Sequence, residues 1–277
     1  MVVRIFGFMK NGIKLLCTDI DGTLLNAERW LSEETVFAFA KAKLPTILAS
    51  SRMPSALTYI QEGLDIIGNP LIAYNGGLIL GSNGAVLQSN TFDVSILETV
   101  IAHQIQNHYN LSIYADDEWY TAQEDYWTLR EMNNTRVTPI LESPHKIVHL
   151  LASEQRGIHK VMCMGDKKEL DSLLEILKNF ESQVHLYRSK DTYLEITPKN
   201  IDKAKALKLL LEKEYNFGIE AVMAFGDNHN DDALIKQAGL GVAIDNATDN
   251  LKVLADYVSP FTNKENAVAL AIEKFVL

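Results

Sequence analysis

The 277-residue sequence has no long hydrophobic run and fewer basic than acidic residues. Its apolar runs stay well short of the roughly 18 residues that a membrane-spanning helix needs, so we expect no membrane segment. The 26 basic and 36 acidic residues give a formal net charge of −10. This charge argues against nucleic acid or an anionic membrane as a partner, because both attract a basic surface. It does not argue against anionic small molecules as ligands, since one bound metal ion can reverse the electrostatic field of a pocket.

Cysteine is also scarce, with Cys17 and Cys163 far apart and each in an apolar run. We interpret them as reduced thiols in the protein core, which is the usual state in the cytoplasm. With 47% hydrophobic and 22% charged residues, the chain has the composition of a globular protein. Its length suits one large domain or two domains of unequal size, and we favour two. We expect a cytoplasmic protein that is a monomer or a weak homo-oligomer.

Short β-rich apolar runs alternate with helical patterns over almost the whole chain, which predicts an α/β fold. Strands are predicted at 13–18, at "PTILAS" and at "LIAYNGG", and a helix capped by Ser32 runs to about Lys43. Each of these strands ends in polar residues. In a parallel sheet the carboxyl ends of the strands share one edge, where ligands bind. The pattern therefore predicts a binding site at that edge.

The middle of the chain has a different pattern. After Gly84 we predict a helix over 92–109, two strands joined by an acidic turn in "LSIYADDEWYTA", and further strands in "HKIVHLLA", "HKVMCM" and "QVHLYRS". A helix over 166–179 separates the last two. The first pattern returns at "YLEITPKNIDKAKALKLLLEKEY". We therefore interpret 1–84 and 190–277 as one core domain, and 85–189 as an inserted second α/β domain.

Four polar clusters lie at strand ends or helix starts. They are Asp19, Asp21 and Thr23; Ser50, Ser51 and Arg52; Lys203; and Asp227 with Asp231. Taken singly, each has an ordinary explanation as a turn, a helix cap or a solvated side chain. Together they supply the carboxylate oxygens that Mg²⁺ prefers, a lysine cation and hydroxyl donors, which is the chemistry of a phosphoryl-binding site. A divalent cation and a lysine would also explain why Asp19 and Asp21 are tolerated at the mouth of a buried strand.

Four segments occur in the order "DIDGTLL", "ASSR", "ITPKNIDKAKAL" and "FGDNHNDD". In this order and spacing they resemble the haloacid dehalogenase superfamily of phosphohydrolases, and more narrowly its Cof-type sugar-phosphatase subfamily. "YNGG" and the late "DNA" and "TNKEN" segments also have counterparts there. The resemblance spans nearly the whole chain. It implies a Rossmann-like parallel-sheet core with an inserted α/β cap domain for substrate specificity, and Mg²⁺-dependent hydrolysis of small phosphorylated metabolites, above all sugar phosphates.

The resemblance also implies roles for individual residues. Asp19 would be the nucleophile that forms an aspartyl-phosphate, and Asp21 the general acid and then the base that activates water. Ser50 would hold the transferring phosphoryl group, and Lys203 would bridge it to Asp19. The Mg²⁺ ligands and their supporting residues would be Asp19, Asp21 through its backbone carbonyl, Asp227, Asn230 and Asp231. The substrate-binding residues would be Thr23, Ser51, Arg52, Asn75 and Gly76.

Some positions depart from the family pattern or carry no clear role. Glycine or another small residue is common in the family at the positions of Ser51, Asp245 and Ala267, and the first two could alter the shape of the pocket. We interpret His229 as a variable loop residue rather than a metal ligand. In the inserted domain, a core role is favoured over a sugar-binding surface for most of the aromatic residues Trp119, Tyr120, Tyr126 and Trp127.

Two other functions stay open at this stage. A sugar phosphomutase would use the same nucleophile but return the phosphoryl group to a sugar rather than to water. A non-catalytic sensor of phosphorylated metabolites would keep the fold. The complete set of Asp19, Asp21, Lys203 and Asp227 argues against a sensor, because a protein that only binds needs no acid–base group beside a nucleophile.

Overall fold

The structure, a computed structural model, describes residues 12–277. The strands are β1 (Leu15–Thr18), β2 (Thr46–Ala49), β3 (Leu71–Ala73), β4 (Leu78–Leu80), β5 (Val86–Ser89), β6 (Asn110–Ala115), β7 (Glu118–Thr121), β8 (Ile140–Leu141), β9 (Lys160–Met164), β10 (Val184–Lys190), β11 (Tyr193–Pro198), β12 (Val222–Gly226), β13 (Leu240–Ala243) and β14 (Tyr257–Val258). The α-helices are α1 (Glu33–Ala42), α2 (Thr58–Gly63), α3 (Val94–Asn107), α4 (Tyr126–Thr135), α5 (Pro144–Ser153), α6 (Lys167–Leu177), α7 (Lys203–Glu214), α8 (Asp232–Gln237), α9 (Asp249–Leu254) and α10 (Ala267–Phe275). Within residues 12–277, none of the helices is long and apolar enough to cross a membrane.

The chain divides into two compact units. We call 12–51, 57–88 and 202–277 the core unit, and 52–56 with 89–201 the inserted unit. Most of the inserted unit therefore interrupts the core unit in the sequence. The C-terminal boundary differs from the expected one at 189, because β11 pairs in antiparallel fashion with β9 and β10 inside the inserted unit. The sequence was misleading here because β11 leads almost directly into α7, as a core strand would.

The core unit is built on an eight-stranded sheet with the strand order β14-β13-β12-β1-β2-β3-β4-β5. Neighbouring strands from β14 to β3 are parallel, and β4 is antiparallel to β3. Strands β1, β2, β12 and β13 are buried along their whole length, as expected for strands covered on both faces. The predicted parallel-sheet α/β core is confirmed, with β1 between β12 and β2.

Helices of the core unit begin where the sequence supplies caps. Ser32 caps α1 through its side chain, as predicted. Asp202 accepts a hydrogen bond from the backbone N–H of Ala204, which makes Lys203 the first residue of α7. Cys17 of β1 is a buried free thiol among the apolar residues that α7 packs against, which agrees with its interpretation as a core residue. The cap of α7 thus places a lysine beside the end of the sheet.

The inserted unit has a six-stranded sheet with the order β10-β11-β9-β6-β7-β8. Adjacent strands of this sheet are antiparallel, except for β7 and β8, which are parallel. Helices α3, α5 and α6 contribute apolar residues to a hydrophobic core with this sheet, among them Ile96, Ile147 and Leu170. Cys163 is a buried free thiol in this core. The unit therefore has a hydrophobic core of its own.

One segment of the inserted unit was predicted wrongly. The run "HKIVHLLA" forms most of α5 rather than a strand. The side chain of Ser143 caps this helix, and Pro144 occupies its first turn, where the missing N–H of proline is not needed. The buried residues of the segment have the spacing of one helix face, since they are Ile147, Val148 and Leu151. A short apolar run is ambiguous, and the cap and the proline were the decisive signals.

The aromatic residues of the inserted unit have mixed environments. Trp119 and Tyr120 are buried, which confirms a core role for these two. Tyr126 is 68% exposed, and Trp127 is half-buried with its ring edge-on to Tyr193. A core role therefore holds for only part of the set.

Candidate active site

Three of the predicted side chains follow neighbouring strands of the core sheet. Asp19 follows β1, Ser50 follows β2 and Asp227 follows β12. The parallel register pairs Thr18 with Phe225 and with Leu48, so the three strands end at about the same level. The predicted edge of the sheet therefore carries the side chains that the motifs indicated.

A buried lysine joins two of the carboxylates. Lys203 Nζ lies 2.6 Å from Asp19 Oδ1 and 2.7 Å from Asp231 Oδ1. The Lys203 and Asp231 side chains are fully buried, and Asp19 is almost so. In such a site, charge-assisted hydrogen bonds to both carboxylates are needed to hold an ammonium group out of water. Asp231 therefore acts as the second partner that keeps Lys203 against Asp19.

The loop after β12 is held by the same residue. Asp231 Oδ2 accepts hydrogen bonds from the backbone N–H groups of Asp227 and Asn228, at 3.1 and 3.2 Å. Thr23 Oγ1 donates to Asp227 Oδ1 at 2.9 Å. Gly22 has φ of +85°, and a Cβ atom there would lie 2.5 Å from Asp227 Oδ2. The glycine after Asp21 is therefore required for this loop to approach Asp227.

The cluster has more negative than positive formal charge. Carboxylate oxygens of Asp19, Asp227 and Asp231 lie within 4.8 Å of one another. Burial raises the pKa of Asp19 well above its ordinary range, and Lys203 offsets this only in part. Burial and the charge of Asp231 raise the pKa of Asp227 to about 6. Counted by formal charge, the three carboxylates and one ammonium leave two negative charges, and this excess with its all-oxygen ligands fits a divalent cation such as Mg²⁺.

Asp19 and Asp227 are the residues best placed to hold that cation. Both oxygens of Asp231 already accept hydrogen bonds from Lys203 or from the backbone, so Asp231 supports the site. Asn230 is exposed, and its amide donates to Asn75 Oδ1 at 3.0 Å. His229 is exposed and does not belong to the acidic group found among residues 12–277.

The remaining predicted residues surround the cluster at different depths. Ser50 is buried, and its carbonyl accepts the backbone N–H of Asn75 at 2.8 Å. Gly76 has φ of +103°, and a Cβ there would lie 3.0 Å from the carbonyl oxygen of Asp202. The "YNGG" turn therefore packs against the cap of α7. Ser51 is half-buried.

Two predicted residues are not part of the carboxylate cluster. Arg52 is buried in the segment grouped with the inserted unit, where its Nη1 donates to the carbonyl of Ala56 at 3.3 Å. The carboxylate of Asp21 is 38% exposed and forms an ion pair with Arg29, at 2.8 Å between Oδ1 and Nη1. Sequence reasoning missed Arg29, for which no motif gave a signal.

Two side-chain amides that were also missed hold the loop next to Asp21. Asn246 Nδ2 donates to the carbonyl of Gly22 at 2.9 Å, and Asn263 Nδ2 donates to the carbonyl of Leu25 at 2.7 Å. The backbone N–H of Asn263 in turn donates to Asn246 Oδ1 at 3.0 Å. These residues belong to the "DNA" and "TNKEN" segments, so the resemblance contained the signal that could have identified them.

Comparison with known proteins gives matches over almost the entire chain. A model of the haloacid dehalogenase-like hydrolase family matches residues 16–272. A 5-amino-6-(5-phospho-D-ribitylamino)uracil phosphatase of Bacillus subtilis is 31% identical over 271 residues, covering 96% of this chain and 96% of the relative. A phosphoglycolate phosphatase of Methanobrevibacter smithii is 31% identical over 270 residues, covering 96% and 99%. The crystal structure of a haloacid dehalogenase-like hydrolase from Bacteroides thetaiotaomicron has a TM-score of 0.84 at 27% identity, covering 95% of this chain and 99% of that one.

These matches include both the residues of the carboxylate cluster and the inserted unit. They confirm the family, its Cof-type branch and the α/β fold that the motifs predicted. The chain therefore belongs to the haloacid dehalogenase-like hydrolases and is a hydrolase that acts on phosphoric monoesters.

Proposed function

We propose that this protein is a Mg²⁺-dependent phosphatase of small phosphorylated metabolites, with sugar phosphates as the main substrate class and an aspartyl-phosphate as intermediate. The observation that carries the proposal is the buried ammonium of Lys203 between Asp19 and Asp231, beside Asp227. A protein that only bound phosphate would have no need of a carboxylate nucleophile against that ammonium. The two named relatives are phosphatases of small phosphomonoesters, which supports small phosphorylated metabolites as substrates.

The reaction divides between two carboxylates. An oxygen of Asp19 attacks the phosphorus atom, and the bond from phosphorus to the ester oxygen breaks as Asp21 gives a proton to the leaving oxygen. Asp21 then takes a proton from a water molecule, whose oxygen attacks the aspartyl-phosphate and releases inorganic phosphate. Lys203 stabilises the negative charge on the transferring group. Asp19, Asp227 and the backbone carbonyl of Asp21 would hold a divalent cation, which would supply further charge neutralisation.

The other site residues position the substrate. Ser50 holds the phosphoryl group through its hydroxyl, and Asn230 and Asp231 support the cation site. The substrate-binding residues are Thr23, Ser51, Arg52, Asn75 and Gly76.

The inserted unit serves as the cap domain that selects among substrates, whereas the core unit carries the chemistry. We place this activity in the cytoplasm, in a monomer or weak homo-oligomer.

A phosphate-release screen tests the proposal. Phosphorylated metabolites are incubated with the protein in Mg²⁺, in Ca²⁺ and in excess chelator. We expect release in Mg²⁺, little in Ca²⁺ because its larger and looser shell misplaces the nucleophile, and none in chelator. Asp19→Asn should abolish turnover, while Asp65→Asn, an exposed carboxylate on the loop after α2, should match the wild type.

Each alternative outcome has a distinct meaning. Full turnover in chelator, or near wild-type rates in Asp19→Asn, would refute the mechanism. Transfer of phosphate between sugar positions without release, dependent on a bisphosphate activator, would identify a mutase instead. No turnover with tight binding of phosphorylated metabolites would identify a sensor.

A further inference from the structure

Hydrogen bonds and a ring contact fix the loop between Asp21 and α1, which contains Arg29. The backbone N–H of Asn26 donates to the carbonyl of Trp30, and the Asn26 side chain accepts from the N–H groups of Glu28 and Trp30 at 3.1 and 2.9 Å. Tyr59 Oη donates to the carbonyl of Arg29 at 3.3 Å, and its ring lies edge-on to Trp30. Arg29 itself has φ of +59°, a left-handed conformation that is unfavourable for a residue with a Cβ atom. The loop therefore holds Arg29 in a defined, strained conformation.

The guanidinium of Arg29 is directed at Asp21. Nη1 lies 2.8 Å from Asp21 Oδ1, and the two side chains are 43% and 38% exposed. An ion pair exposed to this degree contributes little to stability, so stability does not account for the strained loop. Strain of this kind, held by surrounding hydrogen bonds, is a reason to look for a function.

The position of Arg29 matters because of what Asp21 does. A general acid must come within hydrogen-bonding distance of the leaving oxygen, so the guanidinium lies within ~6 Å of that atom. Nη1 is engaged by Asp21, and among residues 12–277 the Nε and Nη2 atoms have no hydrogen-bond partner. These two atoms form the edge that binds a carboxylate in bidentate fashion.

We propose that Arg29 is a specificity-determining residue that selects phosphomonoesters with a carboxylate two carbons beyond the ester carbon. Such a carboxylate reaches from the leaving oxygen to the free edge of the guanidinium while Asp21 keeps its own contact. The inference rests on the proposed function only in taking Asp21 as the group beside the leaving oxygen. It deepens that function by naming the charge of the leaving group.

Matched pairs of esters provide the test. 3-Phosphoglycerate is compared with glycerol 3-phosphate, and phosphoserine with phosphoethanolamine. In each pair the first ester carries the carboxylate and the second lacks it. The wild type should prefer the carboxylate member of each pair. Arg29→Gln should lower kcat/KM for that member by about 10- to 100-fold, mainly through KM, and change the member without a carboxylate by a few-fold at most. Arg29→Lys should restore part of the preference, and Lys41→Gln, a cation on α1, should change neither.

Two outcomes would overturn the inference. A wild type without preference for the carboxylate members excludes recognition by Arg29. An equal loss for both members in Arg29→Gln means that Arg29 acts only by positioning Asp21. Calorimetry measures the affinity of the same esters for Asp19→Asn, with and without Arg29→Gln. It tests the carboxylate preference in the absence of turnover. A carboxylate preference in binding that needs Arg29, in a protein that hydrolyses no ester, would refute the proposed function and leave this inference standing.

Discussion

Replacing Asp227 by asparagine should stabilise the metal-free protein, although it weakens a native hydrogen bond from Thr23. Asp227 is mostly buried beside Asp231 and Asp19, and Lys203 is the single ammonium that the structure places in this cluster of described residues. Burial first, and then the charge of Asp231, raise the pKa of Asp227 from 3.8 to about 6. The folded protein without a cation therefore resists ionisation of this group.

The size of the effect follows from the pKa. A carboxyl with a raised pKa in the folded state stabilises the fold below its unfolded value of 3.8, and this contribution is lost as the pH rises through about 6. At pH 7 the ionised Asp227 costs the metal-free fold roughly 3 kcal/mol, at ~1.4 kcal/mol for each pKa unit. Asp227→Asn removes this cost but weakens the hydrogen bond from Thr23, which is worth about 1 kcal/mol. We therefore expect a net gain of about 2 kcal/mol, which corresponds to an increase of roughly 4 to 8 °C in the unfolding midpoint.

Thermal unfolding in excess chelator at pH 7, and again at pH 5, measures this gain. The variant should unfold at higher temperature than the wild type at pH 7. The difference should shrink at pH 5, where Asp227 is mostly protonated in the folded state and the fold no longer holds its buried charge. Mg²⁺ should raise the midpoint of the wild type but not of Asp227→Asn. Asp65→Asn should behave as the wild type throughout. If the metal-free variant were less stable than the wild type at pH 7, this would contradict the excess of negative charge that indicates a cation site.

Three further predictions concern other parts of the molecule. Lys203→Ala should lower kcat/KM for every ester alike by at least about 100-fold, since it removes charge stabilisation common to all of them, and the panel of matched esters measures this. Asn246→Ala frees the Gly22 carbonyl and loosens the loop after Asp21, so kcat should fall about 10-fold or more for alkyl phosphates but little for p-nitrophenyl phosphate, whose leaving group needs no acid. Burial lowers the pKa of His159 from 6.5 to about 4, with Nδ1 accepting the Asp116 N–H. Its contribution to stability is therefore present above pH 6.5 and lost as the pH falls through 4, and His159→Gln should remove roughly 3 kcal/mol of this pH dependence in urea unfolding.

The carboxylate cluster could be located from the sequence because its members end or begin recognisable elements. Asp19 and Asp227 follow apolar runs that had to be buried parallel strands, and parallel strands end at one edge. Lys203 follows an aspartate cap and opens an amphipathic helix. The exact bounds of these elements were not needed to predict that the side chains lie close together. Errors arose where a short apolar run fitted both periods, as in α5, or where a hairpin strand preceded a core helix, as in β11.

The groups around Asp21 could not be predicted in this way, because their positions depend on loop conformation rather than on periodicity. Arg29 reaches Asp21 from a left-handed backbone that an arginine rarely adopts, so local propensity argues against the contact that the fold makes. Asn246 reaches Gly22 across 224 residues, and neither sequence segment identifies the other as its partner. The positions of the proposed nucleophile and cation ligands therefore follow from sheet topology, which many sequences share. The position of Asp21, the proposed acid–base group, depends on loop contacts that can change without altering the sheet. We therefore expect differences in leaving-group preference between such enzymes to arise in these contacts.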